Sequence, residues 1–450
     1  MNDVLYVTID SLRADHVGYH GYERDTTPHL DDLAAEGSTF SNAFAHAGGT
    51  KMAFPSLMTS VTPLSYGGYR GGLSDEQTTL AEVFQRGGYR TAGFHSNLYL
   101  SEQFGYGRGF DRFFDSQTDA STVSKARQYA KTHLQGTPVY PLLERAYNFA
   151  ESSGGVNVGS YHVPGDEITD MAIDYIESAD TDHPQFLWVH YMDVHHPFLP
   201  PAEFQRQFRD DVVSNQESIR LRRKLLEEPE NVTEEELQLQ LDLYDAEIRH
   251  TDYQVRRLLD AAEDHWGGVT TFLTADHGEH FLEHGYFSGA QLYDVKMHVP
   301  LLVHGWEYSG SHDETVGITD LPPTMAEYAG LPVPESYQGH SLLSLVRDGV
   351  WDRTSIVGGY GNGVDDASFV YRDREWKYIE NADGTTELYD LATDPGEQRN
   401  VAADHEDLVR QFAGKLNEHR REIERTNVDL TDVEMEEEVR ERLRRLGYDE

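Results

Sequence analysis

Asp10, Thr50, Asp276 and His277 are the residues of this chain whose types and settings point to hydrolytic metal chemistry. Asp10 follows the apolar run Val4–Ile9, and Asp276-His277 follow the run Val269–Thr274. A third run, Phe186–Tyr191, leads into Asp193 and His195. Carboxylate oxygens combined with an imidazole nitrogen suit a hard or borderline divalent cation. Thr50 comes directly after Gly48-Gly49, where a glycine turn opens into a helix, so backbone N–H groups and the helix dipole favour an anion there. Taken alone, Thr50 reads as a helix cap. Beside the carboxylates it reads as a hydroxyl that can touch a metal, lose its proton and attack a phosphorus or sulfur centre. Lys51 opposes the dipole of that helix, and reads either as a solvated first-turn residue or as a charge that stabilises the transferring group.

These groups need a frame that brings distant positions together. The chain alternates strand-like and helix-like segments, the pattern of an α/β protein with a largely parallel sheet. Pro28–Gly37 and Thr79–Gly88 carry apolar residues at helical spacing and close on glycine. Arg90–Asn97 and Val299–His304 add strands, and residues 217–263 form a charged helical stretch. Ligands of open α/β sheets bind beyond the carboxyl ends of strands, so the three strand-end clusters can share one edge. After Leu345 the pattern changes to antiparallel strands, with Asp383-Gly384 as a turn. A helix over residues 407–425 and a charged helix over 432–446 follow, while residues 115–164 form an irregular insertion. This predicts a catalytic domain over 1–345, a small C-terminal subdomain over 346–425 and a charged tail over 426–450.

Acidic residues number 79 against 37 basic ones, for a net charge of -42. That charge opposes binding to nucleic acid and to anionic membranes. The abundance of acid, with arginine preferred to lysine, resembles proteins of a high-salt cytoplasm, where screening relieves self-repulsion. No apolar run approaches the roughly 18 residues of a membrane helix. The first residues lead straight into a strand without a signal-peptide pattern, which predicts a cytoplasmic enzyme. Cysteine is absent, which removes disulfides, thiolate zinc sites and a cysteine nucleophile.

Several ordered motifs resemble one family. Val7-Thr8-Ile9-Asp10-Ser11-Leu12-Arg13 resembles the first metal-binding strand of sulfatase-like hydrolases in the alkaline phosphatase superfamily, here in a haloarchaeal-type sequence. Thr26-Thr27-Pro28, Gly88–Phe94, Arg108–Asp111 and Asp193–Phe198 follow in that family's order. So do Thr274–Glu279, Glu283-His284-Gly285, Leu292–Asp294, His298–Leu301, Asp320–Thr324 and Leu388–Glu397. The resemblance implies an α/β/α sandwich with a mixed, mostly parallel central sheet and a small C-terminal α+β subdomain. It implies a divalent ion (Mn, Zn, Mg or Ca) on Asp10, Asp276 and His277, with Thr50 also at the ion. It further implies that His195 binds the anionic group or protonates the leaving oxygen, with His284 and Asn97 as further substrate contacts.

Two departures from the family pattern refine this. Thr50, Met52 and Phe54 occupy the positions of a Cys/Ser-x-Pro-x-Arg motif, so no formylglycine is expected. Ser11 stands where many sulfatases have a second acidic ligand. A fuller second-metal set would have to draw on Asp193 and His195. The leading expectation is a hydrolase or transferase acting on phosphate mono- or diesters of a small molecule, glycan or lipid head group. The alternatives are a sulfatase without formylglycine, and an inactive relative that binds anionic ligands. Oligomeric state is not legible.

Overall fold

The computed structural model describes residues 2–65, 72–115, 162–180 and 182–426. Eight of its strands form one sheet: β1 Asp3–Ile9, β2 Ser38–Phe44, β3 Arg90–Phe94, β4 Arg112–Phe114, β5 Gln185–Tyr191, β6 Val269–Ala275, β7 Leu301–His304 and β8 Gly310–Gly317. Their order is β4-β3-β5-β1-β6-β7-β2-β8. β7 runs antiparallel to β6 and β2, and every other neighbouring pair is parallel. The sheet is therefore mixed and mostly parallel, as expected.

β1, β5 and β6 lie side by side at its centre, and β5 and β6 are buried at every position. Strands covered on both faces carry continuous apolar runs, which is why these three are legible in the sequence. The registers Thr8↔His190 and Ile9↔Ala275 bring the ends of β5 and β6 level with the end of β1. Asp10, Asp193 and Asp276 thus emerge along one edge.

The helices that matter for the site are α1 Pro28–Glu36, α2 Thr50–Thr59, α3 Leu80–Arg86, α4 Gly165–Ser178, α5 Ala202–Phe208, α6 Asn215–Glu227 and α7 Glu234–Trp266. The stretch read as one helical region over 217–263 is two helices. α6 stops at Glu227, because Pro229 lacks an N–H and disfavours helical backbone before it. α7 starts on a Thr233/Glu236 capping box and ends at Gly267, whose φ of 77° suits glycine.

A second, antiparallel sheet has the order β12-β11-β10-β9: β9 Ser355–Tyr360, β10 Ser368–Asp373, β11 Trp376–Glu380 and β12 Thr386–Asp390. Helix α8 Glu406–Thr426 packs on it, with Phe412 stacked on Tyr371. The helix expected over 432–446 and most of the insertion expected over 115–164 lie outside the described residues.

The second sheet is joined to the first by buried charge. Lys377 of β11, with no exposed surface, lies 2.7 Å from both Asp294 and Glu397, and Arg372 of β10 adds a 3.1 Å contact to Asp294. Glu397 also accepts from the Asp294 backbone N–H at 2.7 Å, so this network clamps the segment that leads from β6 to β7. Removing its central cation leaves the buried Glu397 without a cation among the described residues, and Asp294 with Arg372 alone. Lys377→Met should therefore destabilise the protein by about 3–5 kcal/mol in urea unfolding. A loss below about 1 kcal/mol, the range of exposed pairs, would refute this.

Candidate active site

Asp10 leaves β1, Asp276 leaves β6, and Thr50 opens α2, which follows β2 across the sheet. α2 begins on Gly49 without a side-chain cap, and the Met52 and Ala53 N–H groups donate to the Gly49 carbonyl at 3.1 and 3.0 Å. Gly48 is required there: a Cβ at that position would lie 2.1 Å from the Gln291 carbonyl oxygen. Asp10 and Asp276 are fully buried, while Thr50 and His277 are each 3% exposed.

The four side chains meet. Thr50 Oγ1 lies 3.2 Å from Asp10 Oδ2, to which it donates, and 3.1 Å from His277 Nε2. His277 Nδ1 donates to the Gly278 carbonyl at 2.7 Å, because a carbonyl only accepts, and this leaves Nε2 with its lone pair facing Thr50. Gly278 must stay close to this ring, since a Cβ there would lie 2.1 Å from the Val295 carbonyl oxygen. Asp276 Oδ1 accepts from the backbone of Ser11 at 3.2 Å and of His277 at 2.9 Å. Its Oδ2 is buried without any hydrogen-bond partner.

One hydroxyl proton thus serves a crowd of acceptors. Ligand atoms of Asp10, Asp276 and His277 lie within 4.8 Å of one another, and all three residues are buried. An orphaned carboxylate oxygen, a second carboxylate and an imidazole lone pair converging on one point fit a divalent cation. The electrostatics agree. Burial pushes the Asp276 carboxyl well above the usual range, and the neighbouring Asp10 charge adds to this. Burial also works against the Asp10 charge, but the adjoining His190, His195 and His277 rings hold its carboxyl low. His277 is pushed down to about 3, first by burial and then by Lys296.

The remaining predicted residues fall into distinct places. Both amide hydrogens of Asn97 are engaged inside the protein, by Asp10 Oδ2 at 3.1 Å and Met192 Sδ at 3.2 Å, so Asn97 orients the carboxylate. Lys51 is half-buried with its ammonium 5.3 Å from the Tyr99 ring centre, and burial pushes it down to about 8. It is therefore not the fully solvated residue of one sequence reading. His195 donates from Nδ1 to the His196 carbonyl at 2.7 Å, and its ring acts electrostatically on both Asp10 and His277. His284 stacks on Tyr293 at 3.8 Å, next to Glu283 and Glu387 on the side of the C-terminal sheet. Ser11 donates to Asp10 Oδ1 at 2.8 Å, doing by hydrogen bond what a further carboxylate cannot. Asp193 joins Glu247 and His250 in a different cluster.

The sequence reading missed His190. Its Nε2 stands 3.6 Å from Asp10 Oδ2, and its Nδ1 is 3.0 Å from Thr8 Oγ1, which also receives the Trp188 indole N–H. The signal was present: a histidine inside an otherwise apolar central strand needs a polar reason to be there.

This fold and edge define a hydrolase of anionic esters in the alkaline phosphatase superfamily. The chain belongs to the sulfatase family, whose model matches residues 2–331; residues 282–422 match the C-terminal model described as N-sulphoglucosamine sulphohydrolase. An arylsulfatase of Clostridium perfringens is 25% identical over 474 residues, covering 93% of this chain and 95% of its own length. Human arylsulfatase K is 22% identical over 92% of this chain and 81% of its own length. Among solved structures, the phosphonate monoester hydrolase of Agrobacterium radiobacter superposes with a TM-score of 0.71 at 20% identity, covering 94% of this chain and 96% of its own. A structure in complex with its substrate D-glucosamine-2-N,6-O-disulfate also gives 0.71, at 18% identity, covering 97% of this chain and all of its own. Enzymes of this family are metal dependent. No helix among the described residues is long and apolar enough to cross a membrane.

The raised Asp276 carboxyl carries a stability consequence. A carboxyl whose folded pKa lies above its unfolded value of about 3.9 stabilises the fold fully below that value. That contribution is lost as pH rises through the folded value. At pH 7 the metal-free protein therefore bears the strain, and Asp276→Asn, which keeps the Oδ1 acceptor, should melt at a higher temperature than the metal-free parent. Adding Mn2+ or Zn2+ should reverse the order, because only the parent binds an ion at the Asp10 site. A metal-free variant that melts lower at pH 7 would show that the carboxylates do not oppose each other.

Proposed function

We propose that this chain hydrolyses phosphate mono- or diesters, with Thr50 as nucleophile and Asp10, Asp276, His277 and Thr50 as the ligands of one divalent ion. The observation that carries this reading is the position of Thr50 Oγ1, within 3.2 Å of both Asp10 and His277 at the start of an uncapped helix. When bound, the ion supplies positive charge that favours the Thr50 alkoxide and the non-bridging oxygens of the ester.

The protein's own groups do the rest. The positive end of the α2 dipole, at Thr50, favours negative charge on the transferring group. Thr50 Oγ1, its proton released to solvent when the ion binds, attacks phosphorus as the bond to the alcohol oxygen breaks, which transfers the phosphoryl group to the threonine. His195, with Nδ1 held by the His196 carbonyl, gives the leaving oxygen a proton from Nε2. It then takes a proton from the water that cleaves the phosphothreonine, which regenerates Thr50 and releases the phosphate product. An acceptor alcohol in place of water turns hydrolysis into transfer. Lys51, on the first turn of α2, adds charge stabilisation at the same group. Threonine cannot become an aldehyde, so formylglycine chemistry is not part of this reading.

A second reading keeps the same machinery for sulfate esters of a sugar. It is favoured by the relatives named as arylsulfatases and by the structural neighbour bound to a disulfated glucosamine.

Turnover of a panel of phosphate, phosphonate and sulfate esters separates the two. Phosphate ester hydrolysis should fall about 10³-fold or more in Thr50→Ala. Intact mass of quenched protein should show about 80 Da added at Thr50 wherever the intermediate accumulates. His195→Ala should lose about 10²–10⁴-fold, most with poor leaving groups. Turnover of sulfate esters alone selects the second reading, and no turnover of any ester by metal-loaded protein points to an inactive relative.

A further inference from the structure

Glu247 and His250 lie one turn apart on the buried face of α7, and Asp193 reaches them from the loop after β5. The three are 4%, 5% and 6% exposed, respectively for Glu247, His250 and Asp193. His250 Nδ1 lies 3.9 Å from Asp193 Oδ1 and 3.8 Å from Glu247 Oε2, beyond hydrogen-bond reach of either. His250 Nδ1 and Asp193 Oδ2 are both buried without a partner. Ligand atoms of all three residues fall within 4.8 Å of one another.

We propose that Asp193, Glu247 and His250 hold a second divalent cation of the Zn2+ or Mn2+ type, separate from the ion at Asp10. Such an ion sits about 2.0–2.2 Å from its nitrogen and carboxylate ligands, so a small contraction closes the gaps. The carboxylates are held for this. Asp193 Oδ1 accepts from the Gly165 N–H at 2.9 Å, and Glu247 Oε1 from the Leu199 N–H at 2.6 Å. Among the described residues the ion pairs of both carboxylates are with His250 alone. Two carboxylates so buried and so close together leave the cluster short of positive charge.

A proton on His250, opposed by burial but favoured by Glu247 and Asp193, is the alternative source of that charge, and the metal count separates the two. Gln254 Oε1 accepts from Arg257 at 2.8 Å, which turns its amide nitrogen to His250 Nε2 at 3.0 Å. Arginine cannot accept, so in this orientation His250 Nε2 is the acceptor, and either an imidazolium or a cation on Nδ1 puts a proton on Nε2 and requires the Gln254 amide to turn over. The bound ion ties α7 to the amino end of α4 and to the loop that carries His195.

Metal stoichiometry tests this. Protein stripped with EDTA and reloaded separately with Zn2+ and Mn2+ should hold two ions per chain with at least one of these metals. Asp10→Asn should keep one, His250→Gln should keep one, and the double variant none. Asp10→Asn should still melt at a higher temperature on metal addition, and the double variant should not. Should His250→Gln fail to fold, Glu247→Gln replaces it as the variant. A wild type holding a single ion with both metals, or an Asp10→Asn protein holding none, overturns the inference and leaves the Asp10 site intact. A second ion that survives both His250→Gln and Glu247→Gln also overturns it.

Discussion

Two carboxylates at level ends of neighbouring parallel strands are the constraint on which this structure is arranged. The register Ile9↔Ala275 leaves Asp10 and Asp276 no freedom to move apart without breaking the centre of the sheet. Both are fully buried, where like charges interact far more strongly than in water. The neighbourhood is built to manage that cost. Backbone amides of Ser11 and His277 satisfy one oxygen of Asp276, and Ser11, Asn97 and Thr50 donate to Asp10. What they leave over is one orphaned carboxylate oxygen and one imidazole lone pair, the remainder a cation fills.

Holding these donors in place requires the segment from β6 to β7 to stay closed. The Gly278 N–H donates to the Lys296 carbonyl at 2.8 Å, which fixes one strand end against the helical turn Asp294–Met297. That turn is clamped in its own right, because Asp294 accepts from Lys377 and Arg372 of the second sheet. The small C-terminal sheet therefore acts on the site without touching it, through a buried ion network that solvent salt screens weakly.

The sequence made the centre of this arrangement legible and its flanks obscure, for physical reasons. β1, β5 and β6 announce themselves because strands buried on both faces must be apolar throughout. β2 (STFSNAF) and β8 (GSHDETVG) are partly exposed and polar, so they carry no such run and went unread. The motifs at Asp10 and Asp276 could be placed on one edge from strand ends alone. What could not be read is pairing between side chains far apart in sequence. His190 beside Asp10, and Asp193 beside Glu247 and His250, depend on register and helix rotation that spacing does not encode. Asn97 illustrates the same limit: its position was recognised, but its two amide hydrogens turn out to serve Asp10 and Met192.

The global charge and the local charge of the protein oppose each other, and the site resolves the conflict. A chain of net charge -42 repels anionic esters as a whole. At about 0.1 M salt that field is screened beyond about 10 Å, so an ester that has arrived responds mainly to the nearest groups. Those groups are disproportionately cationic for so acidic a chain. Lys51 follows Thr50, Lys296 acts on His277 and His196, and Arg222 of α6 donates to His196 at 3.0 Å. Lysine is scarce in this sequence, and two of its few lysines belong to this neighbourhood, Lys51 next to Thr50 in the chain and Lys296 acting on His277. Lys296 pairs with Glu279 at 3.2 Å, and Lys51 is half-buried with its ammonium against the Tyr99 ring. Burial disfavours the Lys51 ammonium, pushing it down to about 8, and an anion bound at the start of α2 would offset that cost.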